Sequence, residues 1–183
     1  MRRRIGITGH INLSSATKLL VAAELRRHLL ALLREGAHAV GRATGPDKSG
    51  TPDTPGTPDL TGVSCLARGA DSVFAEVLIE LGGRLEVIVP SSDYRQVEVP
   101  PDHAPQFDLL LDRAESVKVM PSPTAGPEAY VAANNAMLDK VDLLLAVWDG
   151  DDGDEGGTGH VVNEARARQI PVTVIWPKGS RRT

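Results

Sequence analysis

Apolar residues fall along this chain in two rhythms that alternate. Short, mostly apolar runs occur at residues 4–8, 60–66, 85–89, 116–120, 142–148 and 172–176. They are too short for helices and apolar at successive positions, as strands buried on both faces must be. Between them the apolar residues recur with a helical period. Leu19, Ala22, Leu25, Leu29, Leu32 and Leu33 mark one face of a first helix, with Ser14 or Ser15 as its cap and Gly36 suited to its end. Further helices are expected at residues 71–81, stopped by Gly82 and Gly83, and at 106–114, 128–140 and 158–168. Continuously apolar strands alternating with helices predict a mainly parallel sheet covered on both sides, a Rossmann-like three-layer α/β sandwich.

One stretch breaks the rhythm. Residues 41–59, GRATGPDKSGTPDTPGTPD, repeat Thr-Pro and carry no apolar period. A mobile surface loop is expected there. Too little chain precedes it for a separate unit, so residues 1–183 are expected to form one domain. With 183 residues, 41% of them hydrophobic, the chain can bury a sizeable core. No apolar run approaches a membrane span, and the stretch after Met-Arg-Arg-Arg is too short for a secretion signal. One cysteine, Cys65, gives neither a disulfide framework nor a cysteine-rich metal site, and its apolar run suits an inert thiol. A cytoplasmic protein is expected. The net charge of −4 and 3% aromatic content offer no basic field and no stacking platform, which disfavours DNA as a partner.

In a parallel sheet, ligands bind beyond the carboxyl ends of the strands. The unusual residues of this sequence fall there repeatedly. The first strand is followed by Thr8, Gly9 and His10, and the second by Arg68, Gly69 and Asp71. The third runs into Pro90 and Ser91, and the penultimate one into Trp148 and Asp149. After Asp149 come Gly156, Gly157, Thr158 and Gly159, at the start of the last long helix. Amides at a helix start lack partners and carry partial positive charge, so a bare glycine turn there suits a phosphate. Thr158 adds a hydroxyl. The first loop, GITGHINLSS, contains neither G-x-G-x-x-G nor G-K-[ST], which argues against a dehydrogenase or a P-loop enzyme.

Several side chains keep two readings. Arg68 can fork onto a phosphate or carboxylate, or sit in a surface ion pair. Asp71 is read first as the cap of its helix and second as a ribose ligand. His10 can contact ligand or solvent. Asn134 and Asn135 are poor helix formers, which hints at a polar task. The acidic residues Asp149, Asp151, Asp152, Asp154 and Glu155 offer carboxylates to a divalent ion such as Mg²⁺ accompanying a nucleotide. Their spacing repeats no ligand pattern, so they are read as a solvated loop and no metal site is assigned.

Three segments together resemble a known family. "GVSCLARGADSVFAEVL" is similar to the second βα unit of the SLOG superfamily, named for the DNA-processing Smf/DprA proteins and the LOG cytokinin-activating enzymes. The segment beginning "AANNAMLDKVDLLLAVWDG" and running to "VTVIWP" looks like the C-terminal half of its YpsA-like members, and "RIGITGHINL" like its first strand and loop. The resemblance implies a Rossmannoid nucleotide-binding domain with ligand near the glycine turn, and a homodimer. LOG phosphoribohydrolases carry P-G-G-x-G-T-x-x-E, whose glutamate serves catalysis. In that frame the glutamate position is Asn163 here, and Glu164 comes one residue late, rotated by about 100° on a helix. The sequence therefore points first to a protein that binds a nucleotide or nucleotide derivative as a sensor or signalling module. Its alternative is a LOG-like hydrolase of nucleoside 5′-monophosphates acting through Glu164.

Overall fold

The computed structural model describes residues 3–43, 60–151 and 156–183. Six parallel strands form one sheet: β1 (Arg3–Gly9), β2 (Leu60–Ser64), β3 (Arg84–Val89), β4 (Ser116–Val119), β5 (Leu143–Val147) and β6 (Val172–Ile175), in the order β4-β3-β2-β1-β5-β6. The helices are α1 (Ser15–Ala43), α2 (Ala70–Glu80), α3 (Tyr94–Val97), α4 (Ala104–Asp112), α5 (Pro127–Leu138) and α6 (Thr158–Ala167). The expected Rossmann-like α/β fold is the one observed.

Side chains alternate across the sheet and divide the core in two. Ile5 and Ile7 of β1 pack with Leu25 of α1, Phe74 of α2 and Phe107 of α4. On the other face Val63 and Leu144 meet Met137 of α5 and Val161 of α6. The exception is β4, an edge strand whose four residues are all exposed. Among the described residues, no helix is long and apolar enough to cross a membrane.

Helix ends follow their local chemistry. Ser14 caps α1, its hydroxyl accepting the Thr17 amide at 3.2 Å. The buried stripe of α1 is Thr17, Val21, Leu25 and Leu29. Leu19, expected on that stripe, is 74% exposed, because the burying period runs i, i+4 from Thr17. The helix also passes Gly36 and ends at Ala43. A glycine inside a helix costs only about 1 kcal/mol, which the surrounding good helix formers offset. Residues 41–43 of the expected loop therefore belong to α1, and 44–59 lie outside the described residues. Gly82 and Gly83 stop α2 as expected: their amides donate to Ile79 and Leu78 carbonyls at 2.9 Å each, with Gly82 at φ +77°.

Candidate functional site

The sheet order places β1 between β2 and β5. The chain leaving β1 and the chain leaving β5 therefore diverge onto opposite faces, opening a crevice at the carboxyl edge. A pocket of about 470 Å³ occupies it. That volume lies within the range of small-molecule sites, roughly 300–1,000 Å³.

Backbone builds one end of the pocket. Gly156 turns with φ +79° and Gly157 precedes α6 in an extended conformation. A side chain on Gly156 would begin 3.4 Å from Cβ of Tyr130, and Asn134 Nδ2 donates to the Gly156 carbonyl at 3.2 Å. The first amide of the α6 ladder is that of Val161, bonded to Gly157 O at 3.1 Å. The amides of Thr158, Gly159 and His160 precede it, the positions a helix leaves without internal partners. Gly156, Gly157, Thr158 and Gly159 all line the pocket.

The loop after β1 forms the adjoining wall. A Cβ on Gly9 would lie 2.5 Å from Ala70 Cβ and 2.7 Å from Val147 Cβ, so only glycine lets β1 end between α2 and β5. Gly69, at φ +85°, is pressed against the same loop; a Cβ there would meet the His10 carbonyl at 2.6 Å. His10 Nε2 lies 2.8 Å from Asp149 Oδ1, and its ring meets Trp176 edge-on at 5.5 Å. Asp149 also pairs with Arg182 Nε at 2.9 Å, and Arg182 Nη2 reaches Asp151 Oδ2 at 2.9 Å. Burial raises the Asp149 carboxyl, but the Asp151 amide, His10 and Arg182 outweigh it and hold it below the ordinary carboxylate range. Arg182 is brought there by its own backbone. Leu13 and Arg182 form an antiparallel bridge, and the Thr183 amide donates to Asn12 O at 3.1 Å.

Side chains build the third wall. Asp71 is buried and accepts the Ser64 hydroxyl at 3.0 Å. Burial pushes its carboxyl up to about 7, against the Ser64 hydroxyl and the Ala67 and Cys65 amides, which favour the ionised form. Tyr94 and Tyr130 stand edge to face at 6.4 Å. Burial first, then nearby acidic groups including Asp71, drives the Tyr94 phenol up. Tyr130 is raised to about 12 by burial and by its hydrogen bond to Glu98. Cys65 also lines the pocket, with a thiol that burial pushes up, as an inert cysteine would be.

Of the residues expected at the site, the structure gathers Thr8, Gly9, His10, Asp71 and Pro90 with the four residues of the glycine turn. Asp71 is not the cap of α2. Gly69 holds that position, and Asp71 sits in the first turn with its carboxylate turned back to Ser64. Arg68 is outside the lining and pairs with the exposed Asp102 at 3.2 Å. Ser91 is fully buried and bonds Asp93 at 2.7 Å. Asn135 accepts from Arg168 at 2.7 Å, while Asn134, its neighbour, lines the pocket. Trp148 is buried, with its indole N–H on Asp151 O at 2.6 Å. Glu164 accepts Arg168 Nε at 2.7 Å outside the lining, and Asn163 is exposed. Asp149 contributes through His10 and Arg182 from behind the lining. Residues 152–155 of the acidic loop lie outside the described residues, and among those described no cluster of three or more His, Cys, Asp or Glu could hold a metal ion.

Sequence reasoning passed over Tyr94, Glu98, Tyr130 and Arg182. The two tyrosines sit in the stretch around residues 94–130, where no motif marks them. Their signal was scarcity, since the chain holds only two tyrosines and both line the pocket.

No protein-family model and no curated protein sequence matches this chain. Its fold is similar to that of DNA processing protein A (DprA) from Helicobacter pylori, with a TM-score of 0.63 and 13% identity over 97% of this chain and 67% of that one. It is equally similar to DprA from Streptococcus pneumoniae, with a TM-score of 0.61 and 13% identity over 97% of this chain. The chain spans about half, 51%, of that protein's length. The Helicobacter protein is described by its single-stranded DNA binding mode. The expectation that disfavoured DNA as a partner is corrected by this likeness. Net charge is a sum over the whole chain and says nothing of where charge lies or of what a shared fold can carry.

Proposed function

We propose that this protein binds a nucleotide or nucleotide derivative in the crevice between the ends of β1 and β5, as a ligand-sensing module of the SLOG type. The observation that carries the reading is the meeting of two loops at the switch point of the sheet. One is the glycine turn with its helix-start amides, and the other is the Thr8, Gly9 and His10 loop. Phosphate belongs at the start of α6, where backbone donors and the helix dipole favour an anion. The pocket volume suits a mononucleotide.

The reading is one of holding the ligand rather than cleaving it. Hydrolysis of an N-glycosidic bond calls for a carboxylate near the anomeric carbon. Glu164, the residue nearest the LOG glutamate in sequence, is engaged by Arg168 and lies outside the lining. A second reading, single-stranded DNA as the ligand, draws support from the Helicobacter DprA likeness.

Thermal-shift measurements with nucleoside monophosphates, inorganic phosphate and a short oligodeoxynucleotide test the proposal. A ligand at 100 times its Kd adds about 2.7 kcal/mol of stability. A rise in Tm with at least one mononucleotide, and no free base released from it, is expected. A rise only with the oligonucleotide, with an affinity that falls steeply in salt, would favour the second reading.

A further inference from the structure

The pocket is chemically lopsided. The glycine turn presents backbone N–H groups, whereas the recess that adjoins it past Tyr130 and Asn134 offers side-chain acceptors. Asp71 lines the recess from the start of α2, and Glu98 and Tyr130 form a hydrogen-bonded pair on its other side. Asn134 and the Tyr94 ring complete it. Among the described residues, Arg182 is the only arginine or lysine in the lining, and it is engaged by Asp149 and Asp151.

Asp71 has capacity left for a ligand. A carboxylate offers about four acceptor sites. The Ser64 hydroxyl and the amides of Cys65 and Ala67 supply three donors to it. Among the described residues no cation faces it in a salt bridge, although an ionised group this buried is ordinarily paired. An N–H donor from a ligand fills that need, whereas a carbonyl brought against the same oxygens leaves two acceptors facing each other beside a buried carboxyl.

We infer that this recess selects the base of the ligand: with phosphate on the α6 amides, Asp71 and the Glu98–Tyr130 pair receive an exocyclic amino group. The site thus takes amino-bearing nucleotides, those of adenine, cytosine and guanine, over keto counterparts such as uracil and hypoxanthine. The inference rests on the nucleotide reading above.

The test compares CMP with UMP and AMP with IMP by isothermal titration calorimetry at pH 8. Each pair differs in the amino or keto group and its ring proton, while phosphate and sugar are constant. A charge-assisted hydrogen bond in place of an acceptor clash predicts at least about 10-fold tighter binding of the amino member in each pair. In Asp71→Asn, whose amide can turn its N–H₂ toward the ligand, the preference should collapse to within about two-fold. Glu98→Gln, on the exposed rim, should reduce the same ratio by a smaller factor and serves if Asp71→Asn does not fold. Equal affinities within the pairs, or a preference that neither substitution changes, would overturn the inference while leaving nucleotide binding standing. No binding by any of the four would overturn both.

Discussion

The two edges of the sheet handle charge in opposite ways. At the amino edge, Arg4 forks onto Glu86 with bonds of 2.9 and 2.7 Å, Lys140 adds a third at 3.1 Å, and Asp142 accepts the Arg4 amide at 2.9 Å. Each of these four charged residues has a protein partner, and the Arg4 guanidinium foremost holds the Glu86 carboxyl below its ordinary range. At the carboxyl edge, Asp71 is buried more deeply, with hydroxyl and amide donors but no cation among the described residues, and its carboxyl is pushed up to about 7. One edge spends its charges on the fold. The other holds a buried carboxyl among neutral donors, the feature on which the proposed base recess rests.

The sharpest way to break this comparison is to remove Arg4. Arg4→Ala leaves the mostly buried Glu86 carboxylate with Lys140 alone and should cost about 2 kcal/mol, or roughly 4–8 °C in Tm for a domain of this size. Arg4→Lys keeps the charge without the fork and should recover part. A loss below about 0.5 kcal/mol would place this cluster among ordinary surface ion pairs.

The next effect is one of sign with pH. Glu86 has a lowered folded-state pKa, so its contribution is present above the ordinary 4.5 and is lost as pH falls through the folded value. Asp71 is the reverse. The folded protein holds its proton longer than the unfolded chain, so its contribution is full below 3.8 and is lost as pH rises toward about 7. In the folded protein Asp71 has Tyr94 and Cys65 as its titratable neighbours, both neutral in this range. Asp71→Asn should flatten the stability profile between pH 4 and 7. Glu86→Gln should flatten the acid side instead. Urea titrations across pH read both slopes, and an unchanged profile in Asp71→Asn would show that this carboxyl ionises as it does in the unfolded chain.

Smaller still are two substitutions at the carboxyl edge. Gly157 has an ordinary φ of −76°, so Gly157→Val should fold, yet its side chain obstructs the helix-start amides. An affinity loss for AMP of about 10-fold is expected, about 1.4 kcal/mol. Arg68→Ala should change affinity less than two-fold and stability by under about 0.5 kcal/mol, since its pair with Asp102 is exposed. A large loss of binding in Arg68→Ala would restore the anion clamp that the sequence suggested.

Much of this was legible in the sequence, and the boundary is physical. Unbroken apolar runs such as LLLAV can only be buried strands, so the layers and the parallel sheet followed from periodicity alone. The glycine turn was legible because glycine announces where backbone must be bare, and Gly156 indeed turns with φ +79°. The recess was not, because its members come from distant parts of the chain: Asp71 from α2, Tyr94 from α3 and Tyr130 from α5. Each looks ordinary in its own segment. Arg68 shows the converse case, two open readings of which the structure shows the surface ion pair. Its place in a promising loop suggested the pocket, but Gly69 turns with φ +85° and Arg68 meets Asp102 instead. Arg182 takes a place in the lining through a backbone bridge to Leu13 that no local pattern encodes.

The central claim, that a nucleotide phosphate rests on the amides opening α6, is tested most directly by backbone ¹⁵N chemical shifts during titration with AMP and, separately, adenosine. The account predicts saturable shifts at Gly157, Thr158, Gly159 and His160 with AMP, centred on the start of α6 and extending to Thr8, Gly9 and His10. Adenosine should leave the α6 amides largely unmoved. Shifts confined to the amino edge around Arg4 and Glu86, or α6 amides that respond equally to adenosine and AMP, would contradict it.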